Sequence, residues 1–374
     1  MRFGHFGSES RFWEGAQGRV ESTAQYWRSV WLELEPHMRL HLAQAFSNRA
    51  PRWRKHDFKD AERLVRRLIA DELILSFVPS GEQRIWRSLT RMKLQLTRDR
   101  VRLQNQIECL LEEMRIKLSI VVSNLLGASG LRILHALANG ETDPKRLAQL
   151  GGERLQCTEE QLVDALTGRA QPVHEAMLAL QLERLQLIDQ QMERLNSMIA
   201  AAMKPQQDAV MRLAEVPGLG VDSAQQIIAE VGAQAGTFAS AAELTSWVGT
   251  CPGKEESAEQ NHSSRSAKGN KYMRRVLNQA AHAAAAKKGS HFQIVFRRLL
   301  PRLGYQSAIW AVAHRLCRLV WKILHEGARF IEKGVEVHPR EKKKRAQMLA
   351  RALRKLGYEV TITPLNQLVP KPAV

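Results

Sequence analysis

Ala209-Val-Met-Arg-Leu-Ala-Glu215 runs into Val216-Pro-Gly-Leu-Gly220 and leaves it through Val221-Asp-Ser-Ala-Gln-Gln-Ile-Ile-Ala-Glu-Val231. Apolar residues at helical spacing flank a turn whose glycines permit close backbone approach, so the stretch predicts short helices over Ala209 to Glu215 and Ser223 to Val231. This is a helix-hairpin-helix pattern. The amides of such a turn, around Gly218 and Gly220, and the start of the following helix can hold a DNA phosphate. The plainer reading is a tight turn between packed helices. Around the turn only Arg212 accompanies Asp208, Glu215, Asp222 and Glu230, so the pattern would position a strand rather than supply bulk attraction.

Attraction has another source further along. From Gln260 to His325 there are thirteen Lys or Arg and no Asp or Glu, among them Arg265, Lys268, Lys271, Arg274, Arg275, Arg297 and Arg298. Solvated faces normally mix signs, whereas these cations sit among helices with apolar faces such as Tyr272 to Ala286, which predicts a folded positive surface for nucleic acid. A second basic block, His338 to Lys355, holds eight Lys or Arg with only Glu341. The last residues, Tyr358 to Val374, contain prolines and read as a frayed end. Over all 374 residues, 56 Lys and Arg oppose 38 Asp and Glu, a net charge of +18 that points to a polyanionic partner.

The rest of the composition excludes whole classes. A hydrophobic fraction of 44% fills cores and argues against an all-disordered basic chain. The apolar run Ile309 to Leu324 is broken by Arg315, Arg318 and Lys322, short of the roughly 18 uninterrupted residues a membrane span needs. Met1 to Ser10 carries Arg2, His5 and Glu9 and does not read as a secretory signal, so the expectation is a cytoplasmic, nucleoid-associated protein. Cys109, Cys157, Cys251 and Cys317 have no paired spacing and read as reduced structural thiols.

Upstream, two long helical patterns appear. One runs from Gly81 to about Asn124 without Pro or an interior Gly, with Leu89, Leu96, Leu103, Leu110 and Lys117 at a near seven-residue step. The other runs from Val173 to Met203, with Leu178, Leu182, Leu185, Ile188, Met192, Leu195 and Ile199 on one face. They suit an intrachain antiparallel hairpin or an oligomer seam. Short helices and glycines fill Gly127 to Gly168 between them. The first 80 residues read as α/β: a strand ending at Glu21, a helix over Tyr26 to Leu34, a strand over Met38 to Ala45 and a helix over Asp57 to Ile69. The expected division is residues 1–80, a helical and coiled-coil region 81–204, a mainly α domain 205–335 and a basic tail 336–374.

Three carboxylates in the first region could carry chemistry. Glu21 closes a predicted strand, and Asp57 and Asp60 share one face at a helix start, so together they could hold Mg²⁺ for phosphodiester chemistry. The bland alternative makes Asp57 and Asp60 capping and first-turn acids. A second candidate is the loop Cys251-Pro-Gly-Lys-Glu-Glu-Ser257 and its Ser- and Gly-rich continuation to Lys271. A serine there, with Arg265, Lys268, Lys271, Arg274 and Arg275 behind it, suits attack on a phosphate whose developing charge the cations stabilise. His262, His282 and His291 read as surface or core histidines.

Taken in order, Glu21-Ser-Thr-Ala-Gln-Tyr26, Asp57-Phe-Lys-Asp60-Ala61, Val216-Pro-Gly-Leu-Gly220, Trp247-Val-Gly-Thr-Cys-Pro-Gly253 with Glu256-Ser257, and Gly269 to Leu277 resemble the insertion-sequence-110-type transposases. The Cys-Pro-Gly lead-in is most similar to the subgroup named for insertion sequence 1111. The resemblance implies an N-terminal RuvC-like, ribonuclease H-fold domain with an Asp-Glu-Asp-Asp set, a coiled-coil region and a C-terminal transposase domain with a catalytic serine. By position, Glu21 looks like the second acid, Asp57 the third, Asp60 the fourth and Ser257 the nucleophile. The first acid has no counterpart, since none of the twenty residues before Glu21 is Asp, and Ala24 stands where a glycine is usual. The resemblance further implies recombination of DNA guided by a bridge RNA, a homo-oligomer (dimer or tetramer), and a composite site in which Mg²⁺-bound acids of one subunit meet Ser257 of another. With the first acid unmatched, the expectation is an incomplete RuvC-like domain and a chain that binds nucleic acid yet recombines poorly. Two other readings remain: a remnant that only binds nucleic acid, and a RuvC-like structure-specific nuclease with no need of Ser257.

Overall fold

The computed structural model describes residues 17–21, 26–44, 57–72, 75–152, 155–252, 255–257, 260–263, 266–332 and 339–362. They fall into two compact units, Met1–Ile85 and Trp86–Val374.

In the first unit β1 (Gln17–Glu21), α1 (Trp27–Leu34) and β2 (Arg39–Ala43) form a strand-helix-strand unit. The two strands pair in parallel, from Gln17 opposite Arg39 to Glu21 opposite Ala43. Parallel neighbours need a crossover element, and the helical spacing of Trp27, Val30, Trp31 and Leu34 supplies it. Trp31 is buried beneath that helix and meets Trp27 edge to face at 5.8 Å. After α2 (Asp57–Ile69), the short β3 (Leu75–Ser76) returns antiparallel to β2, giving the order β1-β2-β3. The elements expected over Tyr26 to Leu34, Met38 to Ala45 and Asp57 to Ile69 are present. Arg84 hydrogen-bonds both carboxylate oxygens of Glu35 and so holds that carboxyl below its ordinary range, against a smaller opposing effect of burial.

The second unit has two hydrophobic cores. The first gathers the end of α3 (Gly81–Glu113), α4 (Leu118–Val121), α5 (Ala128–Ala138), α6 (Pro144–Gln149), α7 (Glu159–Leu166) and the first half of α8 (Pro172–Ala202) around Leu103, Ile107, Leu111, Ile133, Leu134 and Leu178. Local signals place the short helices: Asp143 caps Lys145 behind Pro144, and Thr158 and Gln161 form a reciprocal capping box. The predicted helix to Asn124 stops short, at Glu113. Arg115 takes the left-handed conformation at φ +61, and the chain turns so that Ile116 and Leu118 enter the core. Two fully buried aliphatic side chains outweigh continued helix at that point.

α3 and α8 run antiparallel. Near one end Trp86 Nε1 donates to Ala202 O at 3.1 Å, in the middle Arg100 Nε donates to Asp189 at 2.8 Å, and near the other end Cys109 and Met177 line one cleft of about 410 Å³. Of the two pairings open to these helices, the intrachain one is present.

The second core lies around α14 (Tyr305–His325), whose Ala308, Ile309, Val312, Ala313, Leu316, Cys317, Val320 and Ile323 are all buried. Around it pack α9 (Gln207–Ala214), which follows a single 3₁₀ turn at Lys204–Gln206, then α10 (Val221–Val231), α11 (Ala241–Val248), α12 (Lys271–Ala286) and α13 (His291–Leu303). Trp86, at the start of α3, enters this second core. The loop expected between Cys251 and Lys271 contains a short antiparallel hairpin that its Ser-rich composition did not suggest, β4 (Glu255–Ser257) with β5 (Gln260–Ser263). The second basic block forms α15 (Pro339–Lys355), and of the end expected to fray, residues 363–374 lie outside the described residues. Among the described residues no helix is long and apolar enough to cross a membrane.

Candidate active site

Ser257 is the last residue of β4 and pairs with Gln260 across the tip of the hairpin. Its side chain lies outside those described, but the base of its loop is well defined. On the entry side α11 ends at Gly249, left-handed at φ +74; on the exit side Gly269 lies against it. A Cβ on Gly249 would collide with Ala267 O, and one on Gly269 would collide with Val248 O, so the two limbs are in backbone contact where only glycine fits. Arg274, from the first turn of α12, bridges the same limbs: its Nη1 donates to Gly249 O and, at 3.1 Å, to Ala267 O, while Nη2 reaches Ser266 Oγ at 3.3 Å. The guanidinium also lies 4.4 Å from the centre of the Trp310 ring. Asn270 completes the closure, with its N–H on Trp247 O at 3.3 Å and its Oδ1 capping Tyr272 and Met273. The two limbs that lead to the Ser257 hairpin are thereby pinned to each other at their base.

Behind the stem stands a buried acid. Glu230, 3% exposed on α10, accepts from Arg91 Nε and Nη2 of α3 at 2.8 and 2.9 Å and from Asn270 Nδ2 at 3.0 Å. Arg87 Nε donates to the carbonyl of Ala229 at 3.0 Å and Nη2 to that of Glu230. Burial works against the charge of Arg91, yet the hydrogen bonds and field of Glu230 hold it above its ordinary value. The long helix is thus coupled through one carboxylate to the residue that caps α12 and ends the Ser257 loop. Sequence reasoning took Glu230 only as an acidic flank of the hairpin; an acid amid Ala224, Ile227, Ile228 and Val231 on an apolar helix was the available signal.

The turn at Val216–Gly220 has two unlike glycines. Gly218, at φ +87, is pressed on α12, where a Cβ would collide with Ala280 O and come within 2.8 Å of Ala284 N. Gly220 precedes α10 with open space about it. At this end of α10, Lys93 of α3 pairs with Asp222, which also accepts from Gln226 at 2.7 Å. Arg275 of α12 is depressed below its ordinary value by burial and by Arg98, with Asp222 opposing. The turn that looked poor in cations therefore receives Lys93 and Arg98 from α3 and Arg275 from α12.

The remaining candidates scatter more widely. Lys268 and Lys271 are exposed at the start of α12, with Lys271 Nζ 5.2 Å from the Tyr272 ring, and Arg297 and Arg298 are exposed on α13. Arg265 and the side chain of His262 lie outside the described residues. His282 shares a 3.1 Å hydrogen bond with the Tyr305 hydroxyl, and the exposed His291 donates its backbone N–H to Glu332. In the first unit Glu21 closes β1 at its parallel pairing with Ala43, and Asp57 opens α2 with Asp60 one turn on; the side chains of all three lie outside those described. Among the described residues no group of three His, Cys, Asp or Glu is placed to hold a metal.

Residues 210–296, from α9 through the helix turn and the Ser257 hairpin into α13, match the transposase IS116/IS110/IS902 family. The chain is also 25% identical over 307 residues, 81% of each chain, to a Pseudomonas aeruginosa PAO1 protein described as "Probable family 20 transposase".

Proposed function

We propose that this chain, which belongs to the insertion-sequence-110 type of transposases, exchanges DNA strands of an insertion sequence with Ser257 as its nucleophile. The observation that carries the reading is a coincidence of boundaries: the family region, residues 210–296, encloses the helix turn, both limbs of the pinned loop and the serine at its tip. The serine oxygen attacks a backbone phosphorus, a deoxyribose oxygen leaves, and a phosphoserine bond keeps the energy needed for rejoining. Lys268 and Lys271 beside the stem, with Arg265 on the loop, supply positive charge for the phosphate. Gly218 and Gly220 with Arg275, and Arg297 and Arg298 on α13, hold the strand.

The first unit, with its parallel strand-helix-strand order, is read as part of a RuvC-like domain whose Glu21, Asp57 and Asp60 would hold Mg²⁺. Three carboxylates form a hard oxygen donor set of the kind that ion takes, and the metal's contribution would be to neutralise phosphate charge. A bridge RNA would choose the DNA by base pairing while this basic protein grips backbone and shape. Assembly as a homo-oligomer would bring the acids of one subunit to the serine of another.

The test uses labelled DNA bearing the element's ends, its own RNA and Mg²⁺. Wild-type protein should form an adduct that survives denaturation, and Ser257→Ala should form none. An adduct with Ser257→Ala would sink the assignment. Metal-dependent cleavage by Ser257→Ala at the wild-type rate would favour a nuclease instead.

A further inference from the structure

Every polar group of Asn270 is in use at once. Its N–H donates to Trp247 O at 3.3 Å, its carbonyl accepts from the Arg274 N–H at 2.9 Å, its Oδ1 accepts from the N–H groups of Tyr272 and Met273 at 2.9 and 3.0 Å, and its Nδ2 donates to Glu230 at 3.0 Å. The first bond ties the exit limb of the Ser257 loop to α11, the next three start α12, and the last reaches α10. An ionised carboxylate only accepts and a backbone N–H only donates, so the group between them must donate on one side and accept on the other. The asparagine amide does both. Aspartate would keep the cap but turn an oxygen on Glu230, and serine would keep the cap but is too short to reach Glu230.

Glu230 is itself fixed. It is buried, and Arg91 of α3 grips both of its oxygens at 2.8 and 2.9 Å, which sets the plane of the carboxylate and leaves Oε2 to meet the Asn270 amide. We propose that Asn270 is a positioning residue for the Ser257 chemistry, with Glu230 and Arg91 orienting its amide. This rests on the serine reading above. Ser257 lies between Gly249 and Asn270 in the chain, and a loop fastened at both ends samples fewer conformations, so a larger fraction presents its hairpin to a phosphate in one place. Arg274 fastens that base by its side chain alone, and its own backbone N–H is held by the Asn270 carbonyl.

The hydrogen bond between Asn270 and Glu230 can be reversed end for end. Asn270→Ser, Asn270→Asp, Glu230→Gln and the double variant Asn270→Asp with Glu230→Gln are compared with wild type. Adduct formation is followed on saturating DNA with its RNA and Mg²⁺, beside nucleic-acid affinity and amide hydrogen exchange. Asn270→Asp sets oxygen against oxygen and should slow adduct formation about tenfold or more, since a small misplacement of a reacting group costs up to about 10²-fold. Asn270→Ser should slow it likewise while the amides of Tyr272 and Met273 stay protected, because the cap survives. Its nucleic-acid affinity should stay within about twofold of wild type, as no cation is removed. The double variant restores a donor opposite an acceptor at unchanged net charge, and should recover most of the rate that Asn270→Asp loses.

Parallel losses of rate, affinity and α12 protection would mark a merely structural role and overturn the proposal. A double variant whose loss is the product of the two single losses would overturn the orienting role of Glu230. If the Glu230 variants do not fold, the two Asn270 variants decide alone: slowed adduct formation with intact affinity and α12 protection upholds the positioning role, and any other result refutes it. A wild-type chain that forms no adduct, or an adduct that survives in Ser257→Ala, would refute the serine reading and this role together. Wild-type adduct formation matched by both Asn270 variants would refute only the role.

Discussion

Arg91 grips both oxygens of the Glu230 carboxylate, at 2.8 and 2.9 Å, from a helix that begins far upstream in the chain. Its guanidinium lies 4.2 Å from the centre of the Tyr272 ring, and Tyr272 is capped by the same Asn270 that donates to Glu230. One buried acid therefore joins α3, α10 and the start of α12. Removing it would leave Arg91 partly buried without the carboxylate it grips, and breaking such a pair costs about 3 kcal/mol. Glu230→Ala should lower the denaturant midpoint of the second unit by that order. A loss under about 0.5 kcal/mol would mean that Arg91 re-solvates freely and that the coupling is weak.

The two glycines of the helix turn should behave oppositely. Gly218→Ala forces a left-handed conformation on alanine and drives its Cβ into the α12 backbone, so strain and overpacking together cost about 3 kcal/mol or more. Gly220→Ala meets open space at φ −110 and should cost about 1 kcal/mol or less. Nucleic-acid affinity per folded molecule, measured beside thermal melting, separates packing from contact. Equal stability for the two variants would show that the turn does not depend on its fit against Ala280 and Ala284.

That contrast also shows how far the residues could be read. Periodicity located α8, α10 and α12 because each buries an apolar stripe in the cores of the second unit, and stripes are local. The end of α3 escaped because a left-handed Arg115 and the burial of Ile116 depend on what surrounds them, not on a pattern. The Ser257 loop could be chosen by its residue types, but its stem could not: the clamp of Arg274 on Gly249 and Ala267 exists only once α12 is docked. Nothing near Glu230 in the chain announces Arg91, which lies 139 positions away.

Cys317 offers a chemical probe of the second core. Burial pushes its thiol up to about 12, against a hydrogen bond with Thr250, so almost no thiolate is present at neutral pH. Alkylation of the native protein at about pH 8 should label the exposed Cys109 early and Cys317 last, on the timescale of unfolding of the core around α14. Early labelling of Cys317 would mean that this core opens without global unfolding.

Acid should weaken the packing of α14 through His314. Burial, with Arg318 and Arg315, holds its imidazole below the usual value against a hydrogen bond with Thr250, and its Nδ1 is buried without a partner among the described residues. Below the unfolded pKa of about 6.5 the unfolded chain takes up a proton that the folded one refuses, so this stability is full above that pH and is lost as pH falls towards the folded value. His314→Gln should flatten the fall in stability that sets in below about pH 6.5. A profile identical to wild type would place the acid sensitivity elsewhere.

The arginines of the basic stretch should divide by what they already hold. Arg274 is spent on carbonyls of both loop limbs, on Ser266 and on the face of Trp310, so Arg274→Ala removes a fastener rather than a phosphate contact. It frees Gly249 O and Ala267 O and loosens the stem under Ser257, which should cost more in adduct formation than in nucleic-acid affinity and should leave the salt slope close to wild type. Arg297→Ala alters an exposed cation on α13, and its expected effect is the reverse: a salt slope lower by about 0.9 per duplex phosphate contact, with melting within about 0.5 kcal/mol of wild type. Lysine at position 274 keeps the charge but cannot bridge two carbonyls while stacking on an indole, so Arg274→Lys should resemble Arg274→Ala in adduct formation. If Arg274→Lys restores wild-type adduct yield, charge alone is what the site needs from that residue, and the pinned stem is not what positions the serine.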